Sequence, residues 1–283
     1  MSLDAARETS RAIWDEMSAG WELKSDFLWE AGRKIGEWMV EKVDPKGGQT
    51  ILELAAGPGM TGFVAAKLVG DDGKLISTDF APAMVKVAEK TAARLGVTNA
   101  EFRVMDAEAI DLPDASVDGV LCRWGLMLMM DPQTALKEIR RVLKPGGKLA
   151  FSVWGAARDN IWAIIAGRVM VSLGKLTPPD PQAPGGMFSM AEPSVVEGMM
   201  GDAGFVDWKI EPVSAEWRFA DFDDYWSFSR AIAGAIALLL RDMDEAELIE
   251  VREAVRAEIE AFRDGDGYLL TGVAINAVAT APS

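Results

Sequence analysis

The 283-residue sequence contains no histidine, one cysteine (Cys122) and only two tyrosines, Tyr225 and Tyr268. Each scarcity excludes chemistry. Without histidine there is no Ser-His-Asp arrangement, no histidine general base and no His-ligated metal. With one cysteine there is no intramolecular disulfide and no cysteine-rich zinc site, so no metal is expected. Basic residues are also few: 29 Lys and Arg against 44 Asp and Glu leave a formal charge of −15. Such a surface repels phosphate backbones, and no local basic patch offsets it. A nucleic-acid substrate is therefore not expected, and a small molecule is favoured. Long apolar runs are missing as well. Residues 231–240 form the longest run towards the C-terminus, far short of the roughly 20 residues that cross a bilayer. The start, Met1-Ser2-Leu3-Asp4-Ala5-Ala6-Arg7-Glu8, lacks the apolar segment of a secretion signal. No membrane insertion is expected, and the default location is cytoplasmic.

What is present suits a folded globular protein of one large domain, or of one domain plus an elaborate cap. Hydrophobic residues make up 49% of the chain and charged residues 26%, a balance that can bury a core. Residues 4–43 read as helical. Strand-like and helix-like stretches then alternate: strand 50–55, a helix from Met60, strand 74–78, helix 82–95, strands 100–104 and 117–122, helix 132–143 and strand 148–154. This β-then-α rhythm with short loops predicts an α/β fold, a Rossmann-like, seven-stranded, mostly parallel sheet flanked by helices. Asp131 and Pro132 are suited to open the helix before the fifth strand, and Lys144-Pro145-Gly146-Gly147 to end it. Beyond Trp154 come a helix around Trp162–Met170, a Pro- and Gly-rich loop at 177–186 and a short helix near 195–200. A sixth strand enters at Ala203-Gly204-Phe205 and ends near Trp217, residues 221–263 are mostly helical, and 269–281 read as a terminal strand. The division expected is a helical lid at 1–44 and one domain at 45–283, with a helical cap insertion at about 221–263.

The segment Glu53-Leu54-Ala55-Ala56-Gly57-Pro58-Gly59-Met60-Thr61-Gly62 ends a strand and opens a helix. Gly57, Gly59 and Gly62 satisfy GxGxxG, whose small residues let backbone turn tightly and approach a ligand. The helix N-terminus offers N–H groups to an anion, either a dinucleotide pyrophosphate or an amino-acid carboxylate. The glycines alone do not separate these. Glu53 lies within the strand, where dinucleotide-binding strands usually carry an apolar residue, and its charge suits an ammonium group. Asp79, at the end of the second strand, can accept ribose hydroxyls. Asp106, at the end of the third, can accept the exocyclic amine of adenine or cap the turn before Ala107-Glu108-Ala109.

Taken with Cys122-Arg123-Trp124 and Arg141-Val142-Leu143-Lys144-Pro145-Gly146-Gly147, this order resembles class I S-adenosylmethionine (SAM)-dependent methyltransferases. Within them it is similar to the type 11 group that includes the ubiquinone/menaquinone-biosynthesis C-methyltransferases. The resemblance is strong over about residues 45–155. It implies SAM as cofactor, S-adenosylhomocysteine as product and a small-molecule methyl acceptor, apolar or aromatic, methylated on carbon or oxygen. By position, Glu53 would hold the methionine amino group, and Gly57 and Gly59 would pass beneath methionine and ribose. Ala55 would join them where the family pattern often has glycine. Asp79 would bind the ribose, Phe80 and Met84 would pack adenine, and Asp106 and Ala107 would read its edge. Arg123 would line the methionine carboxylate or the substrate mouth, unless it forms a surface ion pair.

Methyl transfer from a sulfonium is an in-line displacement, so alignment and water exclusion are the main levers. Trp14 and Trp21 in the lid, and Tyr225 and Trp226 in the cap, are the expected covers. Asp15, Tyr225 and Arg123 are the candidate catalytic groups, the first two by location only. Met127, Met129 and Met130 read as core or as a substrate wall. Asp264-Gly265-Asp266-Gly267 lacks the spacing of a calcium loop and reads as a turn. Two alternatives stand beside the methyltransferase: an NAD(P)-dependent oxidoreductase, disfavoured by the lack of histidine and of Tyr-x-x-x-Lys, and a SAM binder without catalysis.

Overall fold

A computed structural model describes residues 3–178, 180, 183–232 and 234–283. The expected loop at 177–186 is described in part; Pro179, Pro181 and Gln182 lie outside the described residues, as do Met1 and Ser2 of the N-terminus. The N-terminal segment is helical as expected, in two helices, α1 (Leu3–Leu23) and α2 (Ser25–Val43), broken at Lys24. The sheet region follows as β1 (Thr50–Glu53), α3 (Met60–Val69), β2 (Lys74–Asp79), α4 (Pro82–Leu95), β3 (Ala100–Val104), β4 (Val117–Arg123), α5 (Pro132–Val142) and β5 (Leu143–Trp154). Then come α6 (Ile161–Ser172), α7 (Pro193–Asp202), β6 (Val206–Phe219), α8 (Phe222–Ile232), α9 (Ala235–Asp242), α10 (Glu245–Ile259), β7 (Arg263–Asp264) and β8 (Gly267–Thr280).

The strand order is β3-β2-β1-β4-β5-β8-β6, with two-residue β7 paired to β8 as an eighth strand. Pairings from β3 to β5 are parallel, whereas β8 runs antiparallel to both β5 and β6. The fold is the Rossmann-like α/β architecture the alternation predicts, and Asp264–Gly267 is a hairpin turn between β7 and β8. The chain leaves β1 towards β2 and β3 on one side, then crosses to β4 and β5 on the other. The carboxyl ends of β1 and β4 therefore flank a crevice at the point where the order reverses, the place where open α/β sheets bind ligands.

Local chemistry explains the boundaries. Asp131 caps α5, its side chain accepting the Thr134 N–H at 3.0 Å and the Thr134 hydroxyl at 2.7 Å, and Pro132 occupies the first turn. Lys144–Gly147 does not separate helix from strand. It lies inside β5 as an irregularity opposite Val117 and Gly119, with Gly146 in the left-handed region at φ 75°. α2 lies against the sheet with Ile35, Met39, Val40 and Val43 buried, and Gly32 and Gly36 admit Trp124 and Trp29 close to its axis.

An aromatic core joins the sheet to the C-terminal half. Trp124 stacks on Trp154 at 4.6 Å, Trp162 stacks on Trp217 at 4.0 Å, and Phe27 of α2 and Phe228 of α8 close the group. Asn160, fully buried, ties this region together. Its Nδ2 donates to the carbonyls of Gly155, Ala156 and Val273, and its Oδ1 accepts the N–H of Val273 and the indole N–H of Trp162. The Val273 and Ala156 carbonyls keep the N–H groups of Gly155 and Asp159, but replacement by alanine takes away the partner of the Val273 N–H, the Gly155 carbonyl and the Trp162 indole, each costing about 1–3 kcal/mol when unmet. Asn160→Ala should lose about 2 kcal/mol or more in urea unfolding; a change within experimental error would show that this knot contributes nothing.

Candidate cofactor cavity

The crevice opens into a cavity of about 900 Å³, counting its open mouth. Its floor comes from the ends of β1 and β4. Leu54 continues the ladder through its N–H to the Leu121 carbonyl, and Ala55 then turns into the left-handed region at φ 49°, beside Trp124 at φ 62°. Non-glycine residues adopt this conformation at a cost, and such outliers collect at ligand sites. Gly57, at φ 53°, carries the loop onward with no side chain beneath Trp21.

Ala55, Gly57, Asp79, Phe80, Met84, Asp106, Ala107 and Arg123 all line this cavity. Asp79, at the tip of β2, accepts the N–H of Gly57 on Oδ2 and of Ala81 on Oδ1, each at 3.0 Å. Burial pushes its carboxyl up to about 6, against the pull of those backbone donors. Asp106 accepts the Glu108 N–H at 2.8 Å, so it caps the turn and faces the cavity at once. Arg123 lies with its guanidinium 4.2 Å from the Trp124 ring centroid and 5.8 Å from that of Trp29. Its Nη1 is buried with no hydrogen-bond partner among the described residues. Burial lowers it to about 10, opposed by the charge of Glu53, so it remains a cation at neutral pH. It is not a surface ion pair.

Four expected residues stand elsewhere. Glu53 is buried under the floor, not in the lining: its Oε1 accepts the Gly62 N–H at 2.7 Å and its Oε2 the Ser77 hydroxyl at 3.2 Å. A Cβ on Gly62 would collide with that carboxylate, which accounts for the third glycine of the motif. Gly59 also lies outside the lining, turned against the Phe63 ring at φ 83°. Asp15 is engaged on the α4 N-terminus, accepting the Ala83 N–H at 2.8 Å. Tyr225 is fully buried between Phe219 and Ser229, and burial pushes its phenol up to about 12. Neither is among the residues that line the cavity.

The lid is α1. Trp14 and Trp21, packed edge to face at 5.6 Å, line the cavity with Arg7 and Ser10. Arg7 closes it by pairing with Glu108, which also accepts the N–H groups of Met130 and Asp131 at 2.9 and 3.1 Å. Arg7 and Glu108 carried no signal as partners, being 101 residues apart. The expected cap at 221–263 contributes no lining residue among those described. Trp226 is buried, and α8 supports the lid from behind, with Lys24 on Asp224 and Gly20 against Ala231. The methionines divide: Met127 is core, its sulfur near the Trp154 N–H at 3.2 Å, while Met129 and Met130 join Leu128 in the cavity wall. Among the described residues no group of side chains is arranged to hold a metal ion.

Residues 45–170 match the family model described as a methyltransferase domain. With this sheet and cavity, and the relatives below, the matched residues are a methyltransferase domain of the class I SAM-dependent kind. The ubiquinone/menaquinone biosynthesis C-methyltransferase UbiE of Enterobacter sp. (strain 638) is 30% identical over 141 residues, covering 48% of this chain and 55% of that protein. The protein of the same name from Cellvibrio japonicus (strain Ueda107) is 25% identical over 205 residues, covering 69% and 82%. The chain thus spans little more than half the length of the first of these relatives. Among solved structures, the YcgJ protein of Bacillus subtilis aligns with a TM-score of 0.58 at 18% identity over 88% of this chain and 98% of that one. Haemonchus contortus phosphoethanolamine N-methyltransferase 2, in complex with phosphomonomethylethanolamine and S-adenosylhomocysteine, gives 0.57 at 17% identity over 100% and 61%. Both likenesses are of fold.

Glu53, raised by burial to about 7, and Asp79 bind protons more tightly folded than unfolded. For such acids the folded state holds the extra proton between the two pKa values, so stability falls as pH rises from about 4 to 7. Carboxylates held low by hydrogen bonds, such as Asp131 and Glu138, act with the opposite sign at lower pH. Urea midpoints should therefore decline from pH 5 to 7.5, and less steeply in Glu53→Gln. An equal slope in that variant assigns the decline to other groups.

Proposed function

We propose that this chain transfers the methyl group of SAM to a small apolar or aromatic acceptor, on carbon or oxygen, and releases S-adenosylhomocysteine. The observation that carries this reading is one cavity with two unlike sides. Asp79, Phe80 and Asp106 stand at the ends of β2 and β3 with Met84 of α4 beside them, where a nucleoside can be gripped, and Trp14, Trp21, Leu128, Met129 and Met130 form an apolar wall. Asp79 would accept the ribose hydroxyls, Phe80 and Met84 would sandwich the base, and Asp106 with the Ala107 backbone would read its edge. Ala55 and Gly57 would pass beneath the sugar and the amino-acid end. Glu53 would act from beneath, by fixing the loop instead of touching the ligand. The cofactor, when bound, supplies an electrophilic methyl on a sulfonium.

The chain's own contribution is alignment and exclusion of water. The titratable groups in the lining are Arg7, Asp79, Asp106, Glu108 and Arg123. Glu108 is engaged by Arg7 and two backbone donors, and Asp79 by two more. An acceptor that is already nucleophilic, needing no protein base, fits this set. The net charge of −15 supports a small molecule over nucleic acid. Among the described residues no helix is long and apolar enough to cross a membrane, in keeping with a cytoplasmic enzyme.

Calorimetry tests the cofactor: S-adenosylhomocysteine should bind and NADH should not, and the reverse sinks the reading. Asp79→Ala should weaken S-adenosylhomocysteine about 10- to 100-fold or more, from the loss of charge-assisted hydrogen bonds; unchanged affinity removes Asp79 from the site. Transfer of labelled methyl to a panel of phenols, enols and quinols then separates an enzyme from a binder.

A further inference from the structure

The apolar wall of the cavity is backed by a segment that contributes no lining residue among those described. Residues 183–191 run through three successive turns, in which the N–H groups of Gly186, Ser189 and Ala191 donate to the carbonyls of Ala183, Gly186 and Phe188 at 3.0, 3.0 and 3.2 Å. The Ser189 hydroxyl donates to the Met127 carbonyl at 2.7 Å, and Met190 is buried. The segment is thereby pinned to the stretch that carries Leu128, Met129 and Met130.

Gly185 meets Met130 at this seam. It lies in the left-handed region at φ 75°, and a Cβ there would stand 2.2 Å from the Met130 methyl carbon, 3.4 Å from its sulfur and 3.4 Å from the Leu128 carbonyl oxygen. The thioether therefore fills the space that a side chain at 185 would take. The backbone of the wall has little room to yield. Glu108 accepts the N–H groups of Met130 and Asp131, and those of Leu128 and Met129 close on the carbonyls of Gly125 and Leu126. The Met130 side chain, unbranched and flexible, is the part that can move. It has Gly185 on one side and the cavity on the other, so a group added at 185 drives the thioether into the cavity.

We propose that Gly185 sets the width of the methyl acceptor that the site admits, by letting Met130 lie back from the cavity. Met130 is then the contact through which the 183–191 segment limits the acceptor, and Gly185 is the positioning residue behind it. This rests on the reading of Leu128, Met129 and Met130 as the acceptor side of a SAM site. It places a determinant of specificity outside the lining, and outside residues 45–170 that match the methyltransferase domain. Interiors are packed closely enough for one methyl group to be felt. A single substitution in this loop is thus enough to exchange one size of acceptor for another.

The probes are phenol, 1-naphthol and 9-phenanthrol, titrated by calorimetry into the protein saturated with S-adenosylhomocysteine. Gly185→Ala should weaken the widest of these that the unaltered protein binds by about 10- to 100-fold, the range of overpacking by one methyl group. It should spare the narrower probes and S-adenosylhomocysteine. Gly185→Asn carries the same Cβ but tolerates a left-handed backbone, so an equal loss in both variants assigns the effect to the Cβ and not to strain. Met130→Ala, added to either variant, should restore the lost binding because it removes the displaced group. No loss, an equal loss across all probes, a loss in Gly185→Ala alone, or a loss that Met130→Ala does not restore overturns the proposal and leaves the function reading standing. If S-adenosylhomocysteine binds and no probe does, the acceptor reading falls and the proposal with it. If S-adenosylhomocysteine does not bind, the cofactor reading falls first.

Discussion

A single buried carboxylate holds the ligand end of this fold in shape. Glu53 joins three elements, since it belongs to β1, accepts the first-turn N–H of α3 at Gly62 and accepts the Ser77 hydroxyl of β2. The loop between Glu53 and Gly62 is thereby fixed at both ends, and that loop is the cavity floor. The bond requires Gly62 to have no side chain, and it confines the backbone enough to hold Ala55 in a left-handed conformation. A carboxylate on a helix N-terminus is electrostatically apt, yet burial raises its pKa to about 7. The floor of the site is thus organised by a group that titrates near neutrality, in a protein that contains no histidine.

The neighbouring strand depends on the same arrangement. Gly125, just past β4, fits because a Cβ there would lie 2.5 Å from the Ala55 methyl. β1 and β4 can therefore end side by side, with Ala55 and Trp124 both bent into the left-handed region. From Trp124 the contact passes through Trp154 to Trp217 and Trp162. The rigidity of the floor is continuous with the aromatic core of the C-terminal half.

Much of this was legible in the residues, for a physical reason. Parallel strands and their helices are local features, so the β-then-α rhythm, the Asp131 cap and the positions of Asp79 and Asp106 at strand ends follow from short-range patterns. What could not be read was side-chain direction and long-range pairing. Glu53 shares its face of the sheet with Ser77 and points at α3, a consequence of register and not of motif. Asp15 and Tyr225 were candidates by type, and tertiary packing gave one to the α4 N-terminus and buried the other. The break at Lys24 and the Arg7–Glu108 pair both depend on α1 folding back over the crevice. Nothing within ten residues of either records that.

The way α1 is fastened has a consequence for how such an enzyme could diversify. α1 is fastened at its start to Glu108 beside the cavity, along its remaining length by Glu16 to Arg241 and Glu22 to Lys90, and just past its end by Lys24 to Asp224. Two of those fastenings, Glu16 to Arg241 and Glu22 to Lys90, are exposed pairs, individually weak and screened by salt. Surface substitutions on α4, α8 or α9 can therefore loosen or tighten the cover while every lining residue stays as it is. The rate of ligand exchange and the identity of the ligand are, in this architecture, separately adjustable traits.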